Sequence, residues 1–279
     1  MPSTNPVVAS DQLRATAELL RLPGHAIATA LVFMHRFRQD CGGIHVPDYR
    51  LIAACLFVAA KVEETPVRTN DLLNALQYIS DPGNRPELTK AFPGLLLSQQ
   101  HTADTQTDKQ HDQESAAGLA ASSPAATAAD DSASNLPQPG LLAGDDYYQA
   151  REQLITDEQI LLRVLRFEIN VEHPHKYLLN ICRTLQCGQP LTQLALCLVN
   201  DSLAETQLCL RFTALEIAAG CLHLAATTIG VAQQLPSSKQ RGWWEAVGVS
   251  LKAIEEVGHA MCDAAEGRTQ HGHSTAAVT

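Results

Sequence analysis

The sequence predicts an all-α chain, and three observations carry that prediction. Apolar residues fill 45% of its 279 positions, enough for a buried core, while aromatics are only 5% and Ala and Leu abound. That mix suits closely packed helices better than a β-sandwich. Val, Ile and Thr nowhere gather in alternating runs, so no segment reads as a half-buried strand. Apolar residues instead recur at helical spacing, in blocks punctuated by Gly, Pro and Asp.

The first block, Ser10–Leu22, is a short helix with Ser10 or Asp11 as N-cap and Leu13, Ala17 and Leu20 on one face. Pro23–Gly24 breaks it. His25–Gln39 follows and ends before Cys41–Gly42–Gly43. Asp48–Glu64 is the central helix, because Leu56–Ala60 is apolar on every side and such a helix belongs inside a bundle. One Lys and two Glu follow at once, and Pro66 stops the helix. Thr69–Ile79 is the fourth helix, capped by Thr69 or Asn70 and closed by Asp81–Pro82–Gly83. Asp145–Phe167 is long and amphipathic. Pro174–Leu185 opens a second half with Pro at the first helical position. Leu191–Leu203, Leu208–Thr228, a short helix around Trp243–Val247, and Val249–Cys262 complete it. CLFVAA at Cys55–Ala60 returns as CLHLAA at Cys221–Ala226, each in the most apolar helix of its half, which suggests a duplicated architecture.

Residues 101–140 are different material. Leu119 and Leu136 are their only large apolar residues, beside ten Ala, six acids and one base. Such a segment cannot bury enough surface to offset its ordering entropy and is expected to be disordered. Helical patterning resumes on both sides, so it is an insertion within a domain. Lengthening a surface loop from about 12 to about 64 residues costs only about 1.5 kcal/mol of closure entropy.

Charge and motif exclude several classes. The net charge of −10, without a Lys/Arg cluster, argues against direct nucleic-acid binding, which calls for a basic face. Eight Cys without CxxC spacing read as small core residues of a reducing compartment. No signal peptide and no 18-residue apolar run appears, so an intracellular soluble protein, nuclear or cytoplasmic, is expected, with no membrane contact. The sequence lacks G-x-S-x-G, a P-loop and G-x-G-x-x-G, and no cofactor or metal is expected. His173–Pro174–His175 reads as capping and packing rather than a metal pair, and Trp243–Trp244 as a packing pair.

Two charges stand out. On Asp145–Phe167, Leu154, Ile155, Leu161, Leu162 and Leu165 form an apolar stripe, and Glu158 occupies its i+4 slot. An unpaired buried carboxylate costs several kcal/mol, so Glu158 sits at the stripe's rim or has a cationic partner. Lys61 extends the line Ala54–Phe57 at the end of a buried helix. Either the two pair across nearly a hundred residues, or Lys61 snorkels and Glu158 is a solvated rim residue.

TALVFMHRF at Thr29–Phe37, LFVAAKVEETPVRTNDLL at Leu56–Leu73 and ILLRVLRFEINVEHPHKYLL at Ile160–Leu179 together resemble a transcription-type cyclin. HPHKYLL, LCLRF at Leu208–Phe212 and Trp243–Trp244 bring the chain nearest to the cyclin Q (cyclin M) group. The resemblance implies two tandem five-helix cyclin boxes. They would occupy 10–170, with a disordered insertion at about 95–143, and 171–265, between tails at 1–9 and 266–279. It implies a regulatory subunit that does no chemistry and forms a heterodimer with a cyclin-dependent serine/threonine kinase, of the kinase-10 type or transcriptional. It assigns Lys61 and Glu158 as paired kinase-contacting charges, with Val62, Glu64, Leu162, Phe167 and Ile169 as neighbouring kinase-facing positions. This surface would grip the mobile helix of the kinase small lobe and the base of its activation loop. QLRATAELL lacks the MRAIL-type sequence with which cell-cycle cyclins dock substrates, and recruitment through a long C-terminal tail like those of cyclins T, K and L is not expected. Two other readings stay open on the residues alone: a DNA-binding general transcription factor of the same fold, and an all-α adaptor without a kinase.

Overall fold

The computed structural model describes residues 6–81, 83, 142, 144–232, 235 and 242–274. The disorder expected over 101–140 falls outside them. All regular structure among the described residues is helical: α1 Pro6–Leu19, α2 Gly24–Asp40, α3 Asp48–Val62, α4 Thr69–Ser80 and α5 Gly144–Val164. After these come α6 Pro174–Thr184, α7 Gln189–Glu205, α8 Leu208–Arg211, α9 Ala214–Ile229, α10 Trp243–Ala246 and α11 Leu251–Ser274.

Each half is built around its most apolar helix. α3 packs against α1, α2, α4 and α5, and α9 against α6, α7, α8 and α11. Leu51–Leu56 and Val58–Ala60 are all buried, as a helix surrounded on every side requires. The echoed CLHLAA segment occupies the matching place in α9, where Cys221, Leu222, Ala225 and Ala226 are buried. There Gly220 lets α11 approach so closely that a Cβ would stand 2.6 Å from Val257 Cγ1. The halves share a seam. α7 touches α1 and α2, and its Leu203 and Ala204 belong to the first half's core. His35 Nε2 lies 2.8 Å from the Leu203 carbonyl oxygen.

Several ends differ from the sequence expectation. α1 begins at Pro6, inside the expected tail, and Ser10 and Asp11 are buried within it rather than capping it. Val8 and Ala9 are buried too, so the core draws in the preceding turn, which Pro6 opens favourably. α4 is capped by Arg68, with no side-chain cap bond from Thr69 or Asn70. The expected helix Leu208–Thr228 is two helices, because Thr213 and Glu216 form a capping box that starts α9 afresh. α11 continues through the expected C-terminal tail to Ser274.

The cysteines divide. Cys55, Cys182 and Cys221 are buried, Cys41, Cys187 and Cys209 partly so, and Cys197 and Cys262 are exposed; none is in a disulfide. Burial pushes the Cys221 thiol up to about 12 and that of Cys209 up to about 11, so both stay protonated as core filler.

Candidate functional site

The two charges singled out by sequence meet. Lys61 Nζ donates to Glu158 Oε1 at 2.6 Å, joining the last turn of α3 to α5. The Lys61 ammonium also lies 4.0 Å from the centroid of the Phe57 ring, one turn earlier on the same helix face. Lys61 is half in water, its side chain 47% exposed, whereas Glu158 is 15% exposed. A pair so placed adds only about 0–1 kcal/mol to stability. Its effect is geometric: it fixes the two charges relative to each other and joins α3 to α5.

Both helices end in backbone that L-residues rarely adopt. α3 stops at Val62, two residues before the expected Glu64, because Glu64 turns left-handed with φ +55°. The Thr65 amide then closes on the Ala60 carbonyl at 2.8 Å, a Schellman termination ahead of Pro66. α5 stops at Val164, short of the expected Phe167. Arg166 and Phe167 are both left-handed, at φ +52° and +59°, and the Phe167 amide bonds the Leu162 carbonyl at 2.9 Å. Each such residue costs about 1–2 kcal/mol. The outcome is to hold Phe167 outward with 68% of its surface exposed, followed by Ile169 at 39%. Val62 and Leu162 are half-buried, packed against the first core, and Glu64 is exposed. Leu162 stands one turn beyond Glu158 on the same face of α5.

The apolar stripe of α5 proves to be rotated from the expected one. Leu154, Leu161 and Leu165 are buried but Ile155 is 40% exposed. The carboxylate inside the stripe is Asp157, 3% exposed, which sequence reading passed over. Arg50 of α3 holds it in a fork, Nε to Oδ2 at 2.8 Å and Nη2 to Oδ1 at 2.5 Å. The signal was available: Asp157 sits three residues after Leu154 and four before Leu161, nearer the stripe's centre than Glu158.

The two histidines of His173–Pro174–His175 face different partners. His173 Nε2 meets Thr29 Oγ1 at 2.9 Å, and His175 Nε2 meets Asn200 Oδ1 at 2.8 Å. Among the described residues, no three His, Cys, Asp or Glu gather where they could hold a metal ion. Trp243 is buried and stacks edge-on with Trp244 at 5.9 Å, and Trp244 in turn with His223 at 5.5 Å. No helix among the described residues is long and apolar enough to cross a membrane.

The family described as Cyclin-T2-like, C-terminal domain, matches residues 173–263, from His173 to the middle of α11. Cyclin-T1-3 of Oryza sativa subsp. japonica is 31% identical over 249 residues, covering 88% of this chain and 39% of that protein. Cyclin-L2 of Homo sapiens is 27% identical over 253 residues, covering 90% of this chain and 38% of that protein. The chain thus spans about two-fifths of the length of the curated relatives it matches. Its fold is similar to that of a chain in the crystal structure of the yeast RNA Pol II CTD kinase CTDK-1 complex. The TM-score there is 0.63 at 16% identity, over 92% of this chain and 64% of that one. Residues 173–263 thus match the C-terminal domain of the cyclin-T2-like family, and nine-tenths of the chain is similar to transcriptional cyclins of the T and L type.

Proposed function

We propose that this chain is the regulatory subunit of a cyclin-dependent serine/threonine kinase, binding it through the surface that centres on Lys61 and Glu158. The observation that carries the reading is the 2.6 Å Lys61–Glu158 bond, together with an outward Phe167 just past the end of the helix that carries Glu158. A charge pair of little value to the fold and an exposed aromatic held by strained backbone both call for a partner. Val62, Glu64, Leu162 and Ile169 complete the surface. Apolar contact from Phe167 and Ile169 would press the kinase's mobile helix inward, while the charge pair fixes register. Moving a kinase from 1% to 99% active takes about 5.5 kcal/mol of differential binding, within reach of such an interface. The chain itself supplies no reacting group.

Two finer statements belong to the same reading. HPHKYLL and LCLRF, quoted above for the cyclin Q group, support a kinase of the kinase-10 type within the transcriptional class. The division at 170/171 into two cyclin boxes is supported by the two separate buried clusters. The test is co-purification with a panel of transcriptional cyclin-dependent kinases, kinase 10 included, followed by phosphorylation assay. Lys61→Ala and Glu158→Ala should each cut activation at least tenfold while lowering Tm by less than about 4 °C. Full activation by both variants sinks the assignment of this surface. Failure of every kinase in the panel to bind, with a promoter-DNA shift instead, favours the transcription-factor reading.

A further inference from the structure

The segments that form the surface, 61–64 and 167–169, lie at the end of α3 and beyond the end of α5, and something must keep them in register. α2 offers one candidate. Its Thr29, fully buried, donates to Glu63 Oε1 at 2.6 Å and lies 2.9 Å from His173 Nε2. Since the Thr29 hydroxyl proton is directed to Glu63, His173 Nε2 carries a proton and donates to Thr29 Oγ1. Glu63 stands between Val62 and the left-handed Glu64, and His173 ends the linker that leaves Ile169. Two turns further along α2, Arg36 Nη1 donates to the Glu168 carbonyl at 3.1 Å, so one helix face holds both segments.

We propose that Thr29, Glu63 and His173 are positioning residues, a hydrogen-bonded relay that locks segments 61–64 and 167–173 to α2 and so presets the surface that a kinase grips. The link to kinase binding rests on the proposed function; the coupling of the two segments does not.

The relay is sensitive to acid. His173 Nδ1 is buried without a hydrogen-bond partner, so a proton added there finds no acceptor. Burial holds the ring below its ordinary pKa, with further lowering from His175 on α6 and His25 at the start of α2. Glu63, 3.7 Å from Nε2, opposes these without overcoming them. The neutral ring therefore operates at neutral pH, and acidification below about 6.5 works against the relay.

Amide hydrogen exchange on the whole chain, alone, tests the coupling. Thr29→Val keeps the shape and removes both bonds. It should speed exchange about tenfold in both 62–65 and 167–173 at pH 7.5, with the far-ultraviolet circular dichroism unchanged. Loosening of neither segment, or of one only, overturns the relay. Against the possibility that valine unfolds the chain, His173→Gln retains a donor that does not titrate. Between pH 7.5 and 5.5, with intrinsic rates normalised, the wild type should loosen in both segments and His173→Gln should not. A flat wild-type profile, or an equal response in the variant, also overturns it. Binding to the kinase panel is the second arm. If Lys61→Ala weakens binding and Thr29→Val does not, the relay positions nothing that the kinase uses. If neither weakens it while the exchange result holds, the coupling stands and the assignment of the surface falls.

Discussion

Among the described residues, five other than glycine lie in the left-handed region: Arg21, Glu64, Arg166, Phe167 and Gln186. Each follows a helix and terminates it, as the 2.9 Å bonds from the Leu22 amide to the Ala17 carbonyl and from the Cys187 amide to the Cys182 carbonyl illustrate. The end of α9 makes the same turn with Gly230 at φ +80°, where no side chain objects. Three of the five strained residues, Glu64, Arg166 and Phe167, terminate α3 and α5, the two helices that carry the Lys61–Glu158 pair, which is where strain would be kept for a function. Gln186, exposed and far along the chain from that pair, carries the same cost without the use. Gln186→Gly should therefore stabilise the protein by about 1 kcal/mol, raising Tm by about 2–4 °C in a thermal melt. An unchanged or lower Tm would mean that glycine's entropy in the unfolded chain cancels the relief.

At the scale of elements, α3 and α5 are joined by two ion pairs of opposite character. Lys61–Glu158 is partly in water, whereas Arg50–Asp157 puts a carboxylate 3% exposed against a guanidinium fork. Removing one partner of a buried pair leaves an uncompensated charge. Arg50→Ala should cost about 3 kcal/mol or more, seen as a lower midpoint in urea with an unchanged slope. Asp157→Asn should cost less, since the amide keeps one acceptor for the fork. If Arg50→Ala costs no more than Lys61→Ala, Asp157 is not confined as its burial indicates. Why the sequence yielded Glu158 and not Asp157 follows from how each announces itself. Glu158 was found because it interrupts a stripe drawn through Ile155 and Leu162, and those two lie at the exposed margin. Helix periodicity fixes the angular spacing of side chains but not which face the bundle covers. The all-α class and both central helices were legible because an apolar run without a polar face admits one environment. Ends were less so. Thr213-x-x-Glu216 was a readable capping box, whereas the turns at Glu64 and Phe167 depend on contacts from other helices, and Ser10 and Asp11 look like caps until the core claims Val8 and Ala9.

At the scale of the molecule, the two halves meet at a seam where a buried histidine of α2 makes one of the polar contacts. His35 is 3% exposed on α2, and its Nε2 lies 2.8 Å from the carbonyl of Leu203 on α7. A carbonyl only accepts, so Nε2 carries the proton, and Nδ1 is buried with no partner. Protonation would place a second N–H there, against no acceptor, and add a charge that the Arg38 cation opposes. Burial, foremost, and Arg38 both lower the His35 pKa, and the Leu203 bond only partly offsets them. Burial lowers His173 and His223 as well. For a group whose folded pKa lies below its unfolded value of about 6.5, the unfolded chain binds more protons as pH falls. The stability such groups confer is therefore whole above about 6.5 and is lost as pH descends through the folded values. Urea unfolding should show a lower midpoint at pH 5.5 than at pH 7.5. His35→Gln, which still donates to Leu203 but cannot titrate, should shrink that difference, although repacking lowers its stability at both pH values. Since the bond spans the seam, the wild type at pH 5.5 should also lose cooperativity, and separate probes in α3 and α9 should report diverging midpoints. Coincident midpoints with an undiminished acid response in His35→Gln would move the titration from His35 to His173 and His223.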